Sequence, residues 1–281
     1  MLSHLIVVCL PILAMYAGLS TSLSPLPYLT ISNLSIPDTP LIVSALSYAK
    51  ENVNLATLNH VIRSTYFTLL LRQKIPYFAN STEVEDDELI VIACILHDLG
   101  WAITPGLRSE NKRFEVDSAD LAKAFVVSHV NITSKKTKYG DSEWNKHRLE
   151  LLWNSVALHT SRSINQYAHP TIALISQGIL ADFTGPNYSW AGQGGYVTVD
   201  EYKEIATVFA REEFKDAFVD IMCSLCREKK QTVWDNFVGD FGREFGLDGK
   251  GTGKEEFSKE WEANRTWRRQ LGGLDCLPEV V

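Results

Sequence analysis

At 281 residues, with 45% hydrophobic and 22% charged side chains, the chain can bury one sizeable core and is not a disordered polypeptide. Its formal net charge of −7 opposes non-specific binding to nucleic acid or anionic membranes, because that binding rests on Lys and Arg neutralising phosphates. A small neutral or cationic partner is easier to accommodate, and no nucleic-acid partner is expected.

The first predicted element is a leader. Leu5 to Leu19 is nearly unbroken apolar sequence, too short for a stable membrane span, and small residues follow at Ala17, Gly18, Ser20 and Ser22. Residues 1–22 therefore read as a signal peptide and 23–36 as an extended leader. No Lys or Arg precedes the run, so an uncleaved anchor or a buried N-terminal segment stays open. N-x-S/T sequons at Asn33, Asn80, Asn131, Asn187 and Asn264 lean toward the secretory route, with a cytoplasmic location as the alternative. Losing Cys9 with the leader would leave Cys94, Cys223, Cys226 and Cys276. Cys94 reads as a core thiol. Cys223 and Cys226 read as one face of a helix, with a bridge from either to Cys276 as the secondary reading.

From residue 37 the pattern is helical almost throughout. Asp38 offers an N-cap before Pro40, and Leu41, Ile42, Ala45, Leu46 and Ala49 keep a helical stripe. A second helix is predicted from about Asn54 to Leu71, with His60 on its buried side. The acidic cluster Glu83–Glu88 suits the start of a helix that is apolar on every face through Leu99 and stopped by Gly100. Residues 101–117 read as a loop, Ser118 to about His129 as a helix, Lys135–Asp141 as a turn, and Glu143–His159 as a helix. Pro170 starts another helix through Phe183, followed by a Gly-rich loop at 184–197. Thr198 with Glu201 predicts a capping box for a helix reaching Lys229, and a short helix spans Glu255–Gln270 after a loose segment. The fold class is all-α: a single helical domain over 37–245, with a C-terminal helical extension over 246–281.

The chemistry-bearing residues cluster in this frame. His97 and Asp98 continue a fully apolar run, so both face burial, and an unpaired buried carboxylate costs several kcal/mol by rough estimate unless a cation or donor meets it. His60 supplies another imidazole nitrogen, with Arg63 and Ser64 on its face to orient a ligand or bind substrate. Asp182 lies one turn after Gly178, whose missing side chain lets a helix or ligand approach. Side chains from separate helices are a normal way to build a metal centre in a helical core. His159, at the end of its stripe, suits proton transfer, or simply interacts with the helix dipole. Glu115 and Asp117 shape the pocket or hold a ligand, with surface carboxylates as the default alternative. Trp234 and Phe237 read as core or lid packing.

The ordered set resembles the HD superfamily of metal-dependent enzymes, and more narrowly its fungal branch around cyanamide hydratase. The likeness rests on Pro-Asp-Thr-Pro-Leu at 37–41, Asn-His-x-x-Arg-Ser at 59–64, Leu-His-Asp-Leu-Gly at 96–100, Arg-Phe-Glu-Val-Asp at 113–117, Leu-His-Thr at 158–160 and Gly-Ile-Leu-Ala-Asp at 178–182. It spans roughly residues 37–245 and departs at Ser118, where the relatives are expected to carry Gly. The resemblance implies a helical bundle holding a divalent metal, zinc or iron, on His60, His97, Asp98 and Asp182. It implies hydration or hydrolysis of a small molecule such as a nitrile, with His159, Arg63, Glu115 and Asp117 in support. A cation of this kind brings the ionisation of water toward neutral pH. Two alternatives remain. One is a metal-dependent phosphohydrolase of nucleotides or phosphoesters using Arg63, Arg108, Lys112 and Arg113; the other is a catalytically inert secreted metal binder.

Overall fold

The computed structural model describes residues 29–130 and 144–278. The leader over 1–22, Cys9, Asn131 and the turn at 135–141 lie outside the described residues. The fold is all-α; among the described residues, only two-residue strand pairs stand beside the helices.

Chain entry is ordered earlier than the sequence suggests. β1 (Thr30–Ile31) and β2 (Leu34–Ser35) form a hairpin across Ser32 and Asn33, which both take positive φ, and Ile31, Leu34 and Ile36 are buried. Residues 29–36 are thus docked on the core and are not a free leader. Helix α1 (Pro40–Asn52) is capped by Thr39, not Asp38, because the Thr39 hydroxyl accepts from the Ile42 amide. Asn54 caps α2 (Leu55–Lys74), which continues past Leu71. A short α3 (Pro76–Ala79) turns the chain toward α4 (Asp87–Leu96), capped by Asp86 and buried from Leu89 onward.

Helix α5 (Phe114–His129) begins four residues before the predicted Ser118, placing Glu115 and Asp117 in its first turn, where the helix dipole favours acids. Helices α6 (Lys146–Ala157) and α8 (Pro170–Thr184), joined through the short, mostly exposed α7 (Arg162–Asn165), complete the main core, with α2 and α4 central. In the predicted Gly-rich loop, β3 (Ser189–Trp190) pairs with β4 (Gln193–Gly194).

The expected single helix from Thr198 to Lys229 is two. The Thr198–Glu201 capping box forms as predicted and starts α9 (Val199–Val208), but the chain breaks before α10 (Phe214–Glu228). At the break, the carbonyls of Phe209 and Ala210 accept from the buried Arg63 guanidinium, and Glu213 turns through positive φ. The predicted terminal helix is likewise split into α12 (Lys254–Ala263) and α13 (Thr266–Asp275), after α11 (Val238–Phe245).

A second apolar core joins Trp101 and Phe114 to α10, α11 and α12 through Met222, Cys226, Val238, Phe257 and Trp261. Phe257 and Trp261 tie the segment after residue 246 into this core, so its first helix is packed and not loosely appended. Cys94, Cys223 and Cys226 are buried free thiols and Cys276 is an exposed one; the alternative bridge to Cys276 is not formed. Among the described residues, no helix is long and apolar enough to cross a membrane.

Candidate metal centre

Three elements deliver the centre. Helix α2 carries His60, and α8 runs alongside it because Gly178 has no Cβ to collide with the Thr68 backbone and hydroxyl. Helix α4 stops at Leu96, and the chain then turns through His97 and Asp98 into a single 3₁₀ turn at Leu99–Trp101. That irregularity lets adjacent side chains converge, which a regular helix would splay by about 100°. Gly100 passes directly against the Phe114 carbonyl, where a side chain would collide, and its amide donates to the Ser118 hydroxyl at 2.7 Å. Ser118, the departure from the expected Gly, therefore pins the turn that presents the doublet.

Each imidazole is oriented from behind. His60 Nδ1 donates to Asp182 at 2.6 Å, His97 Nδ1 to the Cys94 carbonyl at 2.7 Å, and His159 Nδ1 to the Val156 carbonyl at 2.6 Å. These acceptors fix the tautomers and turn each Nε2 inward. His60 Nε2 lies 3.3 Å from His97 Nε2, and Asp98 Oδ2 lies 3.0 Å from His97 Nε2 and 3.4 Å from His60 Nε2. His159 Nε2 is 3.7 Å from Asp98 Oδ1. Donor atoms of His60, His97 and Asp98 all lie within 4.8 Å of one another, and all three residues are buried.

Asp98 is the anomaly in this cluster. Both of its carboxylate oxygens are buried, and neither makes an aligned hydrogen bond despite the nearby nitrogens. Burial pushes its pKa up, but His97 and His60 outweigh that and hold it below the usual carboxylate range. His60 is lowered by burial and raised more by Asp182 and Asp98, ending above its ordinary value. His159 is pushed down to about 4, first by burial and then by His97, so it is neutral at pH 7. Orphaned carboxylate oxygens, two inward imidazole nitrogens and closed outer hydrogen bonds fit a borderline divalent cation.

Asp182 does not join this cluster. It stands on the opposite edge of the His60 ring, and its oxygens are taken by His60, by Arg63 at 2.7 and 2.9 Å and by Arg211 at 2.8 Å. Burial raises its pKa, yet His60 and Arg63 bring it to about 2. Of the four ligands expected from sequence, the geometry gathers His60, His97 and Asp98, while Asp182 stands behind His60. Arg63 is wholly buried and committed to Asp182 and the carbonyls between α9 and α10, and it does not line the cavity over the cluster.

Two more expected site residues are placed differently. Glu115 accepts from Thr160 at 2.6 Å and from Arg113 at 3.0 Å, and so positions two residues that line the cavity over the cluster. Asp117 faces away: it pairs with the buried Lys229 and accepts from the Ser109 amide at 3.1 Å, which makes it a tie to the second core. Sequence reasoning missed Arg211, and also Asn165 and Ser176, which donate to the His159 carbonyl at 3.2 and 2.8 Å. Their hydroxyl and amide chemistry carries no spacing signal.

A cavity of about 810 Å³ opens over the cluster. His60, His97, Asp98 and His159 lie in its wall, Trp101, Phe114 and Phe237 among its aromatic lining, and Arg113, Arg162 and Asp235 among its charged groups. Trp234 does not line it and packs in the second core.

No curated protein matches the chain. The family model for the HD domain matches residues 57–181, a span that includes His60, the His97–Asp98 doublet and His159 and ends one residue before Asp182. That segment is similar to the HD domain and carries a buried His-His-Asp cluster compatible with metal binding.

Proposed function

We propose that this protein is a metal-dependent hydratase or hydrolase of a small molecule such as a nitrile, with His60, His97 and Asp98 holding zinc or iron. The observation that carries this reading is the pair of buried Asp98 oxygens without hydrogen-bond partners, facing two imidazole Nε2 atoms. A cation bound there supplies Lewis-acid polarisation and brings the ionisation of water toward neutral pH. His159 Nε2 is unprotonated at pH 7 and faces Asp98 from the cavity wall, so it accepts a proton from water and returns it to the substrate's leaving or product nitrogen. Glu115 holds Thr160 in place beside His159, and Asp182 keeps the His60 tautomer.

The phosphohydrolase alternative is less well supported. Arg63 is bound to Asp182, Arg108 to Glu228, Lys112 to Asp120 and Arg113 to Glu115; of these only Arg113 lines the cavity. With Arg113 paired to Glu115, the exposed Arg162 stands against Asp235 outside the cluster, which leaves few free donors for a polyanion beyond the cation itself.

The test is metal analysis of the purified full chain, followed by turnover of nitriles, amides and phosphoesters with His60→Ala and Asp98→Ala controls. The expected result is about one cation per chain, amide or ammonia product, and loss of both cation and turnover in the controls. Phosphate release would move the assignment to a phosphohydrolase. A loaded protein inert toward all three classes, stabilised by its cation, would identify the non-catalytic binder.

A further inference from the structure

Around the cavity, aromatic rings form a closed circuit. Trp101 meets Phe218 at 5.6 Å between ring centroids, Phe218 meets Phe241 at 5.3 Å, Phe241 meets Phe237 at 6.3 Å, Phe237 meets Phe114 at 6.3 Å, and Phe114 returns to Trp101 at 5.5 Å. All of them line the cavity, and Phe183, packed on Phe218 at 5.4 Å, lines it too. Trp101 and Phe114 are buried, whereas Phe218, Phe237 and Phe241 are half-buried and Phe183 is 41% exposed. The collar therefore runs from the buried cluster outward and leaves aromatic surface in contact with water. Each such surface gains roughly 25 cal/mol per Å² when an apolar body covers it.

Size points the same way. A cavity of about 810 Å³ lies within the roughly 300–1,000 Å³ range of sites that enclose drug-sized ligands. Cyanamide, or any nitrile of that size, would leave most of it filled with water. Outside the cluster the lining charges nearly cancel, as Arg113 is paired to Glu115 and Arg162 stands against Asp235.

Resting on the reading of the site as a metal-dependent hydratase or hydrolase, we propose that its substrate is a neutral molecule with an aromatic or comparably broad apolar body. That body sits in the Trp101–Phe218–Phe241–Phe237–Phe114 collar, and only its reacting polar group reaches His60, His97 and Asp98. Specificity resides in the collar, and the cluster performs the same chemistry on whatever group the collar delivers.

The test measures binding apart from turnover. Calorimetric titration of the metal-loaded full chain compares acetonitrile, benzonitrile, 2-naphthonitrile and phenyl phosphate. Affinity is expected to rise at least about tenfold from acetonitrile to benzonitrile and again to 2-naphthonitrile, with phenyl phosphate weaker than benzonitrile. Phe183→Ala, at a position 41% exposed, is expected to weaken 2-naphthonitrile about fivefold, and Phe241→Ala more, while metal content and the thermal unfolding midpoint, measured alongside, stay near the wild-type level. Equal affinities, preference for acetonitrile or phenyl phosphate, failure of every probe to bind, or no effect of Phe183→Ala would overturn the proposal. Graded aromatic binding without any turnover would instead remove the catalytic reading and leave the collar's preference standing. Turnover of acetonitrile with no aromatic preference would do the reverse.

Discussion

The two cores of this protein place their ionisable groups differently. The main core gathers His60, Arg63, His97, Asp98 and Asp182, with the His60 ring packed by Trp101, Phe183 and Phe214 and every imidazole of the cluster held from behind by a carbonyl or carboxylate. Beside the second core, by contrast, Lys229 is buried against Asp117. The second core is built from rings and aliphatic side chains such as Met222, Trp234, Phe257 and Trp261. Its contacts with the cluster run through Trp101, which stacks on His60 at 6.1 Å, and Phe114, which meets His159 edge-on at 5.7 Å. One region thus fixes donor atoms and the other shapes the space above them. The division implies that cation binding and cavity shape respond to different substitutions.

The largest effect tests the cluster itself. Asp98→Ala should empty the site, and the chelator-induced loss of stability expected of the wild type should vanish with it. For the wild type that loss is expected to be about 4 kcal/mol when the cation stands ~1,000-fold above its dissociation constant. Thermal unfolding with and without chelator gives both values. An Asp98→Ala protein that still loads a full equivalent of metal would dissolve the distinction between the two cores.

Asp182→Ala should behave otherwise. It leaves the buried Arg63 guanidinium without its carboxylate, a loss of roughly 3–5 kcal/mol in denaturant unfolding. Cation affinity should fall by about 10- to 100-fold because His60 loses its orienting acceptor, yet the site should still fill at high metal. A site that no longer fills at all would make Asp182 a ligand. On the other side of the boundary, Phe257→Ala should cost about 3 kcal/mol through the cavity it leaves. Its cation affinity should stay at the wild-type value in a competition titration against a chromogenic chelator.

What could be read from the sequence divides along the same boundary. Most local signals held: the helix start near Asn54, the Thr198–Glu201 box and the apolar run before His97 each appear as expected, because each is decided by neighbours within one turn, whereas the cap expected at Asp38 falls on the adjacent Thr39. Long-range partners were not legible. Helical spacing runs on past Val208, but the break there is satisfied by Arg63, some 146 residues earlier in the chain. Choosing between ligand and buttress for Asp182 required knowing which nitrogen of His60 faces which carboxylate, and spacing carries no such information. Phe218 and Phe241 sit at helical intervals on α10 and α11 that read as ordinary core, and only the folding of α10 and α11 against Trp101 and Phe114 turns them into a cavity wall.

The smallest effect comes from a pair in the main core that is remote from the cavity. Asp86 caps α4 through the Leu89 amide and accepts from Arg148 at 2.7 and 3.1 Å, while Glu85 accepts from the same guanidinium at 2.8 Å. Burial raises the Asp86 pKa, but Arg148 and the capping amides outweigh that and bring it below its ordinary value. A carboxylate depressed in the folded state contributes stability that is present above its unfolded pKa, about 3.9, and is lost as pH falls through the folded value. Asp86→Asn keeps an N-cap acceptor and removes only the charge, so at pH 7 it should cost less than about 1 kcal/mol, since the group is partly exposed and Glu85 remains. The gap between wild type and variant should close as pH drops below the ordinary carboxylate range, and cation affinity at pH 7 should not change. A gap that persists in acid would assign the stability to capping geometry. A change in cation affinity would mean that the α4–α6 end of the main core sets the position of His97 and Asp98, a coupling that Ser118 and Gly100 already account for at the other end of the doublet.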